Sequence, residues 1–149
     1  LYINTFKTKA LETLPYTDNL VGDYVRYYNL PIKWKHTLTF TWQKGDWSHN
    51  LSQIYRDGYN DELPVSVRNN SYIPENWNPR VSNYTTYNYS LVYSGIERMK
   101  LTFGVKNLFD EDPPFTAHQN DFAAGAAWET RIADPRGRAY SLLMEYKFR

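Results

Sequence analysis

The sequence predicts an all-β protein whose antiparallel strands form part of the wall of a transmembrane β-barrel. Apolar and polar residues alternate with a period of two over several segments, so each predicted strand has one apolar and one polar face. Aromatic residues make up 17 % of the chain although charged residues reach 22 %, which is typical of an aromatic-rich outer wall around a polar interior. Long and short connections also alternate along the chain, as they do in such barrels.

Six segments carry the strand pattern, and the second carries it most clearly. Between Ile32 and Lys44 the even positions include Trp34, Phe40 and Trp42, whereas the odd positions hold only lysine, threonine and glutamine. The first segment is short and its pattern is ambiguous. The predicted strands cover residues 1–9, 32–44, 47–57, 86–93, 99–105 and 139–148.

The connections predict which side of the membrane each strand end faces. Short turns are predicted at Lys44-Gly45-Asp46 and Ser94-Gly95-Ile96-Glu97. Long loops, rich in proline, glycine and polar residues, are predicted at 10–30, 58–82 and 110–138. Because outer-membrane barrels have short periplasmic turns and long extracellular loops, the chain end is predicted to lie in the periplasm. Aromatic residues near both ends of the strands match the two interfacial girdles.

Composition excludes several classes of protein. The 17 basic and 16 acidic side chains leave no large net charge that would recruit nucleic acid. No cysteine is present, so neither a disulfide framework nor a thiolate metal site can form. No run approaches the roughly 18 apolar residues that a membrane helix needs. Since the chain begins at Leu1 without an initiator methionine or a signal segment, we expect a fragment of an exported protein.

The sequence gives no sign of an enzyme, a metal site or a bound cofactor. No Ser, His and Asp constellation lies in a recognisable elbow, and no glycine-rich phosphate loop is present. His36, His49 and His118 lack the spacing of metal-ligand pairs, so we predict interfacial or loop histidines. The acidic run at 110–112 lacks the alternate spacing of a calcium loop and is predicted to be a solvated turn.

One motif indicates a family. Residues 101–114 read Leu-Thr-Phe-Gly-Val-Lys-Asn-Leu-Phe-Asp-Glu-Asp-Pro-Pro. A strand that ends in Gly-Val-x-Asn-Leu-Phe-Asp before a proline-bearing loop resembles the C-terminal part of the TonB-dependent outer-membrane receptors. The motif consists of Asn107, Leu108, Phe109 and Asp110. Residues 134–140 are similar to the family's approach to its last strand, and residues 30–36 and 45–48 are similar to an upstream hairpin of one subgroup.

The resemblance implies a fold, a location and a set of partners. Residues 1–149 would be the C-terminal part of the barrel domain, with about six strands of a 22-stranded barrel and without the plug domain. The family takes up a scarce ligand, such as siderophore-bound iron, haem, cobalamin or a carbohydrate, across the outer membrane of Gram-negative bacteria. The implied partners are outer-membrane lipid, the protein's own plug and remaining strands, and the TonB complex, which engages the missing N-terminal part.

Two further sets of residues are candidates for function. Tyr146 and Phe148 match the terminal signal that the barrel assembly machinery reads, although Arg149 follows them. The loop 57–82 contains aromatic and arginine side chains that could stack on a sugar or a catecholate and pair with its anionic groups. These predicted ligand-binding residues are Tyr59, Tyr72, Trp77 and Arg80. The alternative is that they only order the loop or lie at the lipid headgroups.

Two other functions fit parts of the pattern. A passive porin-like channel would have the same strands but no plug upstream. A soluble, carbohydrate-binding β-sandwich would bury Trp34, Phe40, Trp42 and Phe103 against a second sheet, but it does not explain the alternation of loop lengths. In either membrane protein, six strands cannot close a barrel, so this chain alone is expected to aggregate or to require detergent.

Overall fold

The computed structural model describes residues 1–25, 30–62, 78–118 and 127–148, and the regular elements in these ranges are all β-strands. Five of these strands have eight or more residues, and the other two have two residues each. In chain order they are β1 (Lys35–Lys44), β2 (Trp47–Arg56), β3 (Tyr59–Asn60), β4 (Arg80–Val81), β5 (Tyr84–Ile96), β6 (Met99–Lys106) and β7 (Ala139–Tyr146).

The chain divides into two compact units. The loop unit, as we call it, comprises Leu1–Lys35, Arg56–Tyr84 and Pro113–Ala133. The sheet unit comprises His36–Tyr55, Thr85–Asp112 and Asp134–Arg149. Long strands dominate the sheet unit, whereas the loop unit is built from connections and contains the paired β3 and β4.

The long strands form one five-stranded sheet in the order β1-β2-β5-β6-β7. β6 pairs antiparallel with both of its neighbours, with Leu101 opposite Tyr93 on one side and Met144 on the other. Gly45, with a φ of 58°, lies in the tight turn between β1 and β2. The predicted all-β, antiparallel class is thus confirmed, and the sheet is open within the described residues, with β1 and β7 at its edges.

One face of this sheet is apolar and exposed. The strand register aligns Leu91, Phe103 and Leu142 across three neighbouring strands. Leu142 is 76 % exposed and Phe40 is 60 % exposed. Aromatic rings contact one another along the face, for example Trp47 and Tyr93 with centroids 4.4 Å apart. The period of two in the sequence therefore does produce a continuous apolar face.

Polar groups on the apolar face form hydrogen bonds with one another across strands. His36 Nε2 donates a hydrogen bond to Gln53 Oε1 at 3.1 Å, and Gln53 Nε2 donates to the hydroxyl of Tyr87 at 2.7 Å. His49 Nδ1 also shares a hydrogen bond of 2.7 Å with the hydroxyl of Tyr89. The polar groups of β2 on this face are thus bonded to β1 and β5.

The opposite face is polar, as predicted. The Thr39 and Ser52 hydroxyls are 3.0 Å apart, and Thr41 Oγ1 donates to Asn50 Oδ1 at 2.7 Å. Between β6 and β7, Lys100 Nζ lies 3.1 Å from Glu145 Oε2. This face has side-chain hydrogen bonds and ion pairs where the other has rings and aliphatic chains.

The structure corrects the first two strand predictions. Residues 1–9 form no strand; they contribute an isolated bridge between Tyr2 and Trp34. Their backbone groups bond to both backbone and side chains: the Ile3 amide donates to the carbonyl of Lys33 at 2.9 Å, and Asn19 Oδ1 accepts from the amide of Phe6 at 2.9 Å. The second strand begins at Lys35 rather than at Ile32, because Ile32 is buried in the core of the loop unit.

The long loop 58–82 also contains structure that its sequence did not predict. Tyr59 pairs with Val81 and Asn60 pairs with Arg80 in a short antiparallel ladder. The amide of Asp61 extends the ladder by donating to the carbonyl of Pro79 at 2.7 Å. Two-residue strands lack a detectable period, so nothing in the sequence distinguishes them from loop.

The family-like motif forms the turn that follows β6. Asn107 and Asp110 have φ values of 48° and 59°, the left-handed region in which asparagine and aspartate are over-represented. The Asn107 side chain spans the turn, because Nδ2 donates to the carbonyl of Glu111 and Oδ1 accepts from its amide, both at 2.9 Å. Asp110 Oδ1 accepts from the amide of Arg138 at 2.7 Å. Asp110 and Glu111 are exposed.

Replacing Asn107 by alanine is expected to lower the free energy of unfolding by about 1–3 kcal/mol, because it removes two hydrogen bonds to the backbone of Glu111, each of which contributes about 0.5–1.5 kcal/mol. Urea unfolding in detergent micelles measures this loss. Asn107→Gly is the matched control, since glycine keeps the left-handed backbone but not the side-chain bonds. Equal stability of both variants and the parent chain would show that the bonds contribute nothing.

Candidate functional site

A cleft of about 250 Å³ opens in the loop unit. Its walls come from the end of β3, from β4 with its flanking residues, and from the segment after Pro113. The lining residues are Asp61, Asn78, Pro79, Arg80, Val81, Ser82, Phe115 and Ala117. The two sides approach closely at Gly58, where an added Cβ would lie 2.2 Å from the carbonyl oxygen of Val81.

A cation and an exposed aromatic ring line this cleft. The Arg80 side chain is half-exposed, and its Nη2 lies 3.5 Å from Asp57 Oδ1. The Arg80 amide donates to Asn78 Oδ1 at 2.9 Å, which orders the entry to β4. Phe115 is 71 % exposed. A guanidinium beside an open ring suits a flat ligand that carries negative charge.

Asp61, which lines the cleft, is a buried hydrogen-bond acceptor. Its side chain is 4 % exposed. Oδ2 accepts from the backbone amides of Ala117 at 2.5 Å and His118 at 3.4 Å. Oδ1 is 2.5 Å from Nδ1 of His118. One carboxylate therefore fixes the segment 115–118 to the end of β3.

His118 lies between two carboxylates. Its side chain is 2 % exposed, and its Nε2 is 3.2 Å from Glu129 Oε2. This second contact lacks hydrogen-bond alignment and is an ion pair only when the imidazole is protonated. The ring of Tyr24 stacks on the imidazole with centroids 3.7 Å apart and an interplanar angle of 19°. We call Asp61, His118, Glu129 and Arg131 the buried charge cluster.

Arg131 completes this cluster by binding Glu129 with two side-chain donors. Nε donates to Oε1 at 2.9 Å, Nη2 donates to Oε2 at 2.8 Å, and the Arg131 amide also donates to Oε1. The guanidinium also lies 5.3 Å from the centre of the Tyr24 ring. Such bidentate geometry is the strongest arrangement for an arginine and a carboxylate.

The cluster changes the acidity of its members. Burial pushes the pKa of His118 down, but the hydrogen bond to Asp61 and the charges of both carboxylates outweigh it, so the pKa is raised above 6.5. Burial would raise the pKa of Glu129, but Arg131 and His118 hold it well below its usual range. Burial, with help from Asp61 and Glu129, raises the pKa of Tyr59 far above its ordinary value.

The structure describes two of the four predicted ligand residues, Tyr59 and Arg80. Arg80 lines the cleft. Tyr59 is fully buried in the core of the loop unit with Leu30, Ile32 and Val81, so its ring supports the cleft wall from within. Tyr72 and Trp77 lie outside the described residues.

The other predicted sites have these positions. Tyr146 ends β7 opposite Met99, and its ring lies edge-on to that of the exposed Phe148, with centroids 5.0 Å apart. Leu108 donates its amide to the carbonyl of Tyr87, and Phe109 lies edge-on to the Tyr87 ring at 5.2 Å. The assembly role of the chain end stays a prediction.

His118 lies in a loop, one of the two predicted positions, but it is buried and contacts a carboxylate on each side of its ring. No pattern in the sequence predicts the buried charge cluster. Glu129 and Arg131 are two residues apart, which suits a local ion pair, but 57 residues separate His118 from Asp61. No periodicity or spacing connects groups that far apart.

No described group of three or more His, Asp and Glu side chains has a geometry that could hold a metal ion. Among the described residues there is also no helix of the length and apolarity needed to cross a membrane.

Comparison with known proteins gives one distant similarity. No protein-family model matches the chain, and no curated protein matches it significantly. Among solved structures, the chain is similar to a mutant ferric enterobactin receptor from Pseudomonas aeruginosa, with 19 % identity and a TM-score of 0.49. The match covers 75 % of this chain and only 16 % of that receptor. A TM-score at this level does not by itself establish a shared fold.

Proposed function

We propose that this chain is the C-terminal barrel portion of a TonB-dependent outer-membrane receptor. In this role the strands of the sheet unit form part of the barrel wall. The complete receptor takes up a small ligand, such as a siderophore, haem, cobalamin or a carbohydrate, with energy from the TonB complex. Its further partners are its plug, its remaining strands, outer-membrane lipid and the barrel assembly machinery, which reads Tyr146 and Phe148.

The observation that carries this proposal is the exposed apolar face of the five-stranded sheet. Phe40, Trp42, Phe103 and Leu142 all lie on it and are exposed. Leaving apolar surface in water costs about 25 cal/mol per Å², and hydrocarbon removes that cost. The opposite, polar face suits the wet interior of a barrel. The Asn107–Asp110 turn adds support through the family resemblance.

Contact quenching by a brominated detergent tests the membrane assignment. The chain has five tryptophans, and two single-tryptophan variants are compared in micelles, with the other four positions changed to phenylalanine. A chain that keeps only Trp42, on the apolar face, is expected to be strongly quenched and blue-shifted. A chain that keeps only Trp128, in the loop unit, is the matched control and is expected to be quenched weakly.

The opposite result has an equally clear meaning. If the Trp42 chain is a water-soluble monomer whose fluorescence is blue-shifted but unquenched, the apolar face is covered by protein. That outcome overturns the barrel wall and favours the carbohydrate-binding sandwich.

We propose that the cleft beside Arg80 is part of the ligand site. Replacing Arg80 by alanine is expected to weaken the binding of a catechol-bearing anion, 2,3-dihydroxybenzoate, about ten- to a hundredfold, since hydrogen bonds to a charged group contribute about 1.5–3 kcal/mol. Titration calorimetry in micelles measures this change. Arg136→Ala is the control, because Arg136 is exposed and pairs with Asp134. If glucose binds and neither substitution changes its binding, the chain has a sugar site that is separate from the anion site.

A further inference from the structure

We propose that His118 is a positioning residue for the cleft, and that its protonated ring clamps one cleft wall in place at acidic pH and releases it at alkaline pH. The cleft is lined by Asp61 and Ala117, which the buried charge cluster holds together. His118 itself does not line the cleft; it acts through Asp61. The coupling between proton and wall is independent of any ligand, and only its effect on uptake rests on the proposed function.

The contacts form one continuous connection. Glu129 belongs to the segment 127–133, where Arg131 holds it with two side-chain donors. Glu129 contacts His118, and His118 contacts Asp61 on the other side of its ring. Asp61 then holds the amide of Ala117 and continues the ladder of β3 and β4 through Pro79. Three separate stretches of chain thus meet at one imidazole.

The charges of the cluster balance only when the imidazole is protonated. Asp61 and Glu129 each carry one negative charge, Arg131 carries one positive charge, and a histidinium makes the sum zero. A neutral ring leaves one net negative charge among the four groups. The two carboxylates and the ring are at most 4 % exposed, whereas the Arg131 side chain is 32 % exposed. Burying an uncompensated charge is costly.

A neutral ring also loses one of its two contacts. Neutral imidazole has one N–H and one lone pair, so it can donate to Asp61 or to Glu129 but not to both. The lone pair would then face a carboxylate at about hydrogen-bond distance, which is repulsive. The other groups that face His118 cannot compensate, because Tyr24 and Tyr59 are uncharged when protonated and the Arg131 guanidinium is already bound to Glu129.

The direction of the pH dependence follows from the raised pKa of His118. The folded state binds the proton more tightly than the unfolded chain, so the clamp stabilises the loop unit fully below about pH 6.5. That contribution is lost as the pH rises through the folded-state pKa. The cleft wall is therefore expected to be most rigid in acid and loosest in alkali.

Histidine-selective NMR in micelles tests the proposal, because the chain has only three histidines. His36→Gln and His49→Gln assign the three imidazole signals by elimination. The His118 signal is expected to titrate with a midpoint above 6.5. The amide of Ala117, observed with ¹⁵N-alanine, is expected to shift and to exchange faster with solvent at the same midpoint, since it reports the bond to Asp61.

Variants then separate positioning from simple packing. His118→Gln is expected to abolish the pH response of the Ala117 amide, and His36→Gln is expected to leave it unchanged. The proposal is overturned if the His118 signal titrates with a midpoint at or below 6.5, or if the Ala117 amide signal does not change at that midpoint. Both measurements are made on the parent chain, so they hold even if a variant fails to fold. Neither readout involves a ligand, so failure of the clamp and failure of the proposed function remain distinguishable.

Discussion

Replacing Asp61 by asparagine is expected to lower the free energy of unfolding of the loop unit by about 3–5 kcal/mol, the usual cost of removing one partner from a buried ion pair. The amide would keep the size of the carboxylate but not its charge. The charges of His118, Glu129 and Arg131 would then balance only with a neutral imidazole, so the attraction between the histidinium and the Asp61 carboxylate would be lost. The amide group also cannot accept at both of its ends, so it would lose the bonds from His118 or those from the backbone of residues 117–118.

Urea unfolding in micelles of the chain that keeps only Trp128 measures this effect, because Trp128 lies in the loop unit. Asp134→Asn is the matched control. Asp134 accepts three side-chain hydrogen bonds from Arg136, and the pKa of its carboxyl is lowered to about 2, yet the pair is exposed. Exposed pairs contribute about 0–1 kcal/mol. Similar losses for both variants would show that the burial of Asp61 has no energetic consequence.

Replacing Gly58 by alanine is expected to cost about 1–3 kcal/mol or more and to deform the cleft. The new methyl group would lie 2.2 Å from the carbonyl oxygen of Val81 and 3.1 Å from the carbonyl carbon of Ser82. Both neighbours are backbone atoms, so β4 must move as a unit. Since Val81 and Ser82 line the cleft, binding of 2,3-dihydroxybenzoate should weaken together with stability.

Gly104→Ala tests whether steric contact alone explains that cost. Its added Cβ would lie 2.6 Å from Oγ of Ser141, which is the end of a side chain that can rotate. We therefore expect a much smaller loss of stability and no change in the cleft. If Gly58→Ala and Gly104→Ala lower the free energy of unfolding in urea by the same amount, contact with the backbone does not explain the cost at Gly58.

The strands of the sheet unit could be predicted because their signal is local. Phe103 in β6 and Leu142 in β7 face the same side for a reason contained in each segment, namely that successive residues of a strand alternate between faces. The turn after β6 could also be predicted as a turn. The hydrogen bonds of Asn107 within this turn could not be predicted, because they go to backbone atoms of Glu111 and do not depend on the side chain at that position.

The loop unit could not be predicted in the same way, because its structure depends on contacts between distant residues. Ile32 continues the alternation of β1 yet belongs to the core with Tyr59, so the boundary of the strand is decided by tertiary packing. Asp61 and His118 have no local pattern at all. Arg80 was predicted from the chemistry of its side chain. The cleft that Arg80 and Phe115 both line exists only once the chain has folded.

The hydrogen-bonded polar groups on the apolar face have a consequence for how such a sheet enters a bilayer. Gln53 receives a bond from His36 and donates one to Tyr87, so the amide of β2 is satisfied only when β1 and β5 are beside it. A lone β2 would bring an unbonded amide and an imidazole into hydrocarbon, at a cost of several kcal/mol. In the proposed barrel, the three strands must therefore associate before or while they insert, because the hydrogen bonds among these side chains require all three.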